Sequence, residues 1–137
     1  MNCIFCAIIR GDTACHKVHE DELTMTFLDL FPVARGHTLI VPREHCDNLF
    51  EAMPEALSRV ATNSIRFANA IKSALAPDGL SVFQLNGAAA GQTVFHYHMH
   101  LIPRKEGDTL AIHSRIRGSD SDLTAVAKLL RDELEKD

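Results

Sequence analysis

A chain of 137 residues has the length at which one compact domain around one core is the usual outcome, so a single domain over 1–137 is expected. Hydrophobic residues make up 46% and charged residues 23%, which is too apolar for a disordered chain. The formal net charge of -4 comes without any run of Lys or Arg, which argues against a nucleic-acid partner, and no segment approaches the roughly 20 apolar residues of a membrane span.

The opening Met1-Asn2-Cys3-Ile4-Phe5-Cys6 has neither the basic stretch nor the apolar run of a signal peptide, which points to the cytoplasm. There Cys3, Cys6, Cys15 and Cys46 are expected as thiols or metal ligands, not disulfides. Residues 7–31 alternate short apolar stretches with turn signals at Gly11-Asp12 and Glu20-Asp21-Glu22, and Thr24 to Leu30 reads as a strand closed by Pro32. Thr38-Leu39-Ile40-Val41 is a continuous apolar run between Gly36 and Pro42, which suits a buried strand. Asp47 to Glu51 has room for one helical turn. From Pro54 the period changes: Leu57, Val60, Ala61, Ser64, Ile65, Ala68, Ile71 and Leu75 recur at three- and four-residue steps, which predicts a long helix ended by Pro77-Asp78-Gly79.

Leu80 to Leu85 and Val94 to Ile102 read as strands joined by the small-residue loop 86–93. Leu123, Val126, Ala127, Leu130 and Leu134 mark a last amphipathic helix starting at Ser119, Asp120 or Ser121. Strands with one long helix between them and another at the end give an α+β class, an antiparallel sheet with helices on one face.

On a strand over Val94 to Ile102, His96, His98 and His100 project from one face while Phe95, Tyr97, Met99 and Leu101 fill the other. Successive histidines then stand about 6.6 Å apart, near enough to share one ligand. Three readings are open: a His-rich solvated face, a catalytic metal site that activates water, or an imidazole nucleophile toward phosphorus with a neighbour that donates to the phosphate. Separately, Cys3-x-x-Cys6 has a spacing suited to thiolate ligation, but a closed zinc site needs two further ligands, and a redox pair or plain thiols are the alternatives.

His96-Tyr97-His98-Met99-His100-Leu101-Ile102 resembles the signature of the histidine-triad family, three histidines alternating with hydrophobic residues. The resemblance extends through Gly91-Gln92-Thr93-Val94 and through residues 29–42, and covers roughly residues 2–105. It implies an antiparallel five-stranded sheet and a homodimer whose sheets run together. It also implies that His98 attacks the α-phosphorus of a purine nucleotide substrate to form a nucleotidyl-histidine, which water then hydrolyses, while His100 binds the phosphate and helps the leaving group depart. Members with an N-terminal cysteine pair imply a structural zinc held by Cys3, Cys6, His45 and His96; four protein ligands would leave no position for a reacting water. Cys46 and Cys15 are rivals for that set, with Cys46 expected as a small apolar residue.

By the same resemblance Asn86, Gln92 and Thr93 contact phosphate or the scissile oxygen, Asp29 accepts from the ribose hydroxyls, and Ile4, Phe5, Ile8, Phe27 and Leu30 enclose the base. Simple core packing is the alternative for each apolar residue. His37 falls where it would support His100. His16, His19 and His113 are assigned to the surface, and Arg104 is read as an exposed charge or a phosphate contact.

The resulting expectation is a hydrolase or transferase acting on nucleoside phosphoramidates or dinucleoside polyphosphates. A nucleotide-binding regulator with incidental hydrolysis and an open-zinc metallohydrolase are the alternatives, the latter without an obvious carboxylate base. The chain has no Trp, whereas the phosphoramidate branch often carries a tryptophan-containing tail, so the leaving group stays open.

Overall fold

The computed structural model describes residues 2–136. Among them the elements run α1 (Ile4–Arg10), β1 (Lys17–Glu20), β2 (Thr24–Leu28), β3 (Thr38–Pro42), α2 (Pro54–Leu75), β4 (Gly79–Phe83), β5 (Met99–Arg104) and α3 (Asp120–Leu134), with short 3-10 turns at Leu49–Glu51 and Ala88–Ala90. The strands form one antiparallel sheet in the order β1-β2-β3-β5-β4, as the α+β expectation required. No helix among the described residues is long and apolar enough to cross a membrane.

α2 starts with Pro54, whose missing N–H costs nothing in the first turn, and ends at Ala76, which takes a left-handed conformation (φ 47°) just before Pro77. Its inner face differs from the one read off the periodicity: Ala56, Val60, Asn63, Phe67, Ala70 and Ile71 are buried, while Ala61 and Ile65 face out. The reason is a buried polar anchor. Asn63 donates to Asp21 Oδ2 (2.9 Å) and Thr24 Oγ1 (3.0 Å) and so sets the rotation of the helix. α3 begins at Ser119, whose hydroxyl accepts from the Asp122 N–H, and buries Leu123, Val126, Ala127 and Leu130 against α2 and the sheet.

The two long helices cover one face, over Leu28, Ile40 and Leu101. Residues of opposite parity, Met25, Phe27, Leu39 and Val41, point to the other face and pack with Phe5 and Ile8 of α1. Helices therefore flank both faces, which corrects the one-sided arrangement expected. α1 went unread because it has only seven residues, too few to display a helical period. It is held at its ends: Cys3 Sγ accepts from the Cys6 N–H (3.3 Å), and Gly11 closes it at φ 84°.

Three strand boundaries also move. β2 ends at Leu28 instead of Leu30, because the Asp29 carboxylate accepts from the Phe31 N–H (2.8 Å) and turns the chain. β4 stops at Phe83, two residues short of Leu85. β5 starts at Met99, not Val94: the Tyr97 N–H donates to Cys46 O (2.8 Å), outside the ladder, and residues 94–96 bend.

Candidate active site and metal-ligand cluster

That bend separates the three histidines. Instead of sharing one strand face, His96 swings toward α1, while His98 and His100 stay together with ring centroids 4.8 Å apart. One imidazole goes to the cysteines and two go to a cavity.

At the first site the donor atoms of Cys3, Cys6, His45 and His96 all lie within 4.8 Å of one another. His96 Nε2 donates to Pro42 O (2.8 Å), so its Nδ1 carries a lone pair, and His45 Nε2 lies 2.8 Å from Asp47 Oδ1, which orients its Nδ1 the same way. The two Nδ1 atoms face each other at 3.2 Å, with Cys3 Sγ 3.4 Å from His96 Nδ1 and Cys6 Sγ 3.4 Å from His45 Nδ1. Lone pairs aimed at one point repel unless a cation lies between them. Tetrahedral zinc with its usual bond lengths sets edges of about 3.3 Å for N···N and about 3.6 Å for S···N, so the donor set fits that ion. Burial, followed by the hydrogen bond and charge of Cys3, pushes the Cys6 thiol up from its ordinary pKa, a cost that a bound dication reverses. Burial likewise lowers His96 to about 4, which keeps it neutral and able to ligate. Cys46 is buried in the main core and Cys15 packs beside Phe5 and Phe27, so neither joins the cluster.

The second site is a cavity of about 220 Å³ between α1, β2, β3 and the histidine segment. Of the residues assigned to a nucleotide, Ile4, Phe5, Ile8, Phe27, Asp29, Leu30, Thr93, His98 and His100 all line it. Phe5 stands edge-on to both Phe27 (5.4 Å) and His98 (5.1 Å), so α1 forms one wall. Asn86 and Gln92 are not in the lining. Asn86 Oδ1 accepts from the Leu49 N–H (2.8 Å), and buried Gln92 donates to Asp47 O and Val94 O while accepting from the Gly87 N–H. Both side chains are occupied in shaping loop 86–93.

Hydrogen-bond polarity settles the tautomers. His98 Nδ1 lies 2.7 Å from His96 O, a carbonyl that only accepts, so the proton is on Nδ1 and the Nε2 lone pair is available. For His100 the sequence of donors begins at a backbone amide. The Val33 N–H donates to His37 Nδ1 (3.0 Å), so His37 carries its proton on Nε2 and donates to His100 Nδ1 (2.9 Å), which leaves the His100 proton on Nε2. That atom is buried with no hydrogen-bond partner in the protein. An orphaned buried donor beside a lone pair is what an incoming phosphate oxygen satisfies. Phe83 stacks on His100 (4.6 Å, 17°) and fixes its ring.

Burial lowers the pKa of all three: His98 falls, His37 drops to about 3 and His100 to about 2. Asp29, whose carboxyl is pushed up by burial, lies 3.6 Å from His37 Nε2. Asp29, His37 and His100 group closely enough to suggest a second metal site, but His37 already holds a proton between itself and His100, so they act as a proton-ordered chain.

Several surface assignments change. Arg104 is buried, donating through Nε to Ser81 Oγ (2.9 Å) and through Nη2 to Ala111 O (2.8 Å); its charge is used to hold the chain, not a phosphate. His19 is half-buried against Phe67, with Nε2 3.3 Å from Asp21 Oδ2. His113 is exposed but lines the cavity mouth with Ile112 and Ser114. These three, with Cys15, Leu28, Phe31, Leu39 and Val94, were missed; for residues 112–114 the signal was an apolar Leu110-Ala111-Ile112 within a polar stretch.

Comparison with known proteins places these features. The HIT domain family matches residues 10–107. "Protein hit" of Bacillus subtilis is 47% identical over 103 residues, 75% of this chain and 71% of that protein. "Adenylylsulfatase HINT3" of Arabidopsis thaliana is 40% identical over 116 residues, 85% of this chain but 59% of the plant protein. The crystal structure of a Zn-bound histidine triad family protein from Mycobacterium smegmatis superposes with a TM-score of 0.87 at 38% identity, covering 99% of this chain and 95% of that one.

Proposed function

Because the chain belongs to the HIT domain family of nucleotide-binding proteins and hydrolases, we propose that it cleaves purine nucleotide conjugates at the α-phosphate through a covalent histidine intermediate. The observation that carries this reading is the pair of buried, neutral imidazoles with opposite faces presented to one cavity: a lone pair on His98 Nε2 and a proton on His100 Nε2. His98 Nε2 attacks the α-phosphorus, the bond to the leaving group breaks with its electron pair, and His100 Nε2–H stabilises the phosphate and the departing atom. Water then displaces His98 and releases the nucleoside monophosphate. Asp29 faces the ribose, and Ile4, Phe5, Ile8, Phe27 and Leu30 enclose the base.

Phosphoramidates, dinucleoside polyphosphates and, from the name of the plant relative, adenylyl sulfate share that phosphorus and differ in what leaves. A neutral nucleophile tolerates all three. Cys3, Cys6, His45 and His96 would hold a structural zinc, which with four protein ligands would tie α1 to the His96 segment and leave the chemistry to His98 and His100.

Intact mass after mixing with adenosine 5′-phosphoramidate and quenching in mild base tests the reaction. An adenylyl adduct on the native chain and none on His98→Ala is expected. Hydrolysis without an adduct, abolished by zinc removal from a folded chain, would favour a metallohydrolase; binding without turnover would leave a nucleotide-binding regulator.

The family's homodimer is supported by β4, an edge strand with half-exposed Val82. An unpaired edge invites a second copy. Light scattering is expected to give twice the chain mass.

A further inference from the structure

The cavity that this reading assigns to a nucleotide has no fixed positive charge. Among the described residues lining it there is no lysine or arginine, and His37 and His100 are held neutral by burial. A phosphate brought to His98 loses water, and an anion desolvated without an opposing charge is costly.

Segment 109–118 lies beyond the part of the chain that matches the family and crosses the cavity mouth. It is tied at both ends: Arg104 Nη2 donates to Ala111 O (2.8 Å), and the Gly118 N–H donates to Leu30 O (2.8 Å). Between the ties, His113 Nε2 donates to Gly91 O (2.7 Å). Gly91 suits this seat through its left-handed backbone (φ +99°), and a Cβ there would press on Leu85 Cδ1 at 3.3 Å. With Nε2 on the carbonyl, His113 keeps Nδ1 for a further partner. His113 and the nucleophile His98 line the same cavity, so a charge on this ring acts on the space that a phosphate would enter.

We propose that His113 is a substrate-binding residue that meets the nucleotide's anionic phosphate at the cavity mouth through Nδ1. A ring that carries both protons can donate to the phosphate from Nδ1 while Nε2–H holds Gly91. Among the described lining residues no lysine or arginine competes with that ring for the phosphate. The strap thereby selects ligands by charge, not by base.

Calorimetric binding of adenosine 5′-monophosphate and of adenosine to the native chain, His113→Ala and His113→Asn tests this. The asparagine amide can still donate to Gly91 O but cannot become charged. Both variants are expected to bind the monophosphate about tenfold more weakly and adenosine within about twofold of the native chain. Equal weakening of both ligands, an unchanged monophosphate affinity in His113→Ala, or full affinity in His113→Asn would each overturn the proposal, because the residue would then be only an anchor or a bystander. If the native chain binds neither ligand, the nucleotide reading itself fails, an outcome distinct from the other three.

Discussion

At the scale of single residues, the chemistry rests on which nitrogen carries which proton. The Val33 amide decides this for His37, and His37 decides it for His100, so a backbone N–H far from the substrate orients the proton offered to it. The arrangement has a pH signature. His37 and His100 have folded pKa values of about 3 and about 2, whereas the unfolded chain protonates each near the ordinary value of about 6.5. Below about pH 6.5 the unfolded state therefore binds more protons, and stability falls as the pH drops toward about 3, with no effect from these groups above neutrality. In His37→Asn the slope of melting temperature against pH between about 6 and 4 should be shallower than in the native chain, as followed by circular dichroism.

Elements place those residues through close backbone contacts. Gly36 leads into β3 at φ +95°, and a Cβ there would sit 2.4 Å from Leu75 Cδ1 and 3.2 Å from Pro103 Cγ. This contact joins the end of α2 to the strand that follows His37. Gly36→Ala is expected to destabilise the fold by at least about 1–2 kcal/mol from the left-handed backbone alone, read from urea denaturation. The same displacement moves His37, so turnover per folded molecule should fall with it. A variant that melts like the native chain would show that the strand entry relaxes freely. The register of β3 against β5, with Leu39 beside His100, then carries His37 to within hydrogen-bonding distance of His100.

For the whole molecule, the metal-ligand cluster and the cavity share two structural links. α1 offers Cys6 to one site and Phe5 and Ile8 to the other, and His96 offers its Nδ1 to one and its carbonyl to the other. Zinc removal by a chelator is expected to lower the melting temperature markedly, while activity per folded molecule falls less. Equal losses at a temperature where the chelated protein stays folded would mean that the metal also holds the nucleophile in place.

The sequence by itself determined the class and the long helices, and it put forward residues for both sites, of which Asn86 and Gln92 fall outside the cavity lining while Ile112, His113 and Ser114 were not among them. Periodicity, a Pro and a capping Ser report on local backbone physics, and the alternation around His96, His98 and His100 with Cys3-x-x-Cys6 belongs to the histidine-triad pattern. Only tertiary structure decided how those residues divide. Whether His96 stands beside His98 or beside Cys6 depends on a bend anchored by Cys46 O, 51 residues away in sequence from Tyr97. The inner face of α2 depends on Asn63 finding Asp21 and Thr24, and the burial of Arg104 depends on Ser81 and Ala111. No local pattern encodes partners that distant, and the same holds for His113, whose place at the cavity mouth follows from a carbonyl on a loop 22 residues before it.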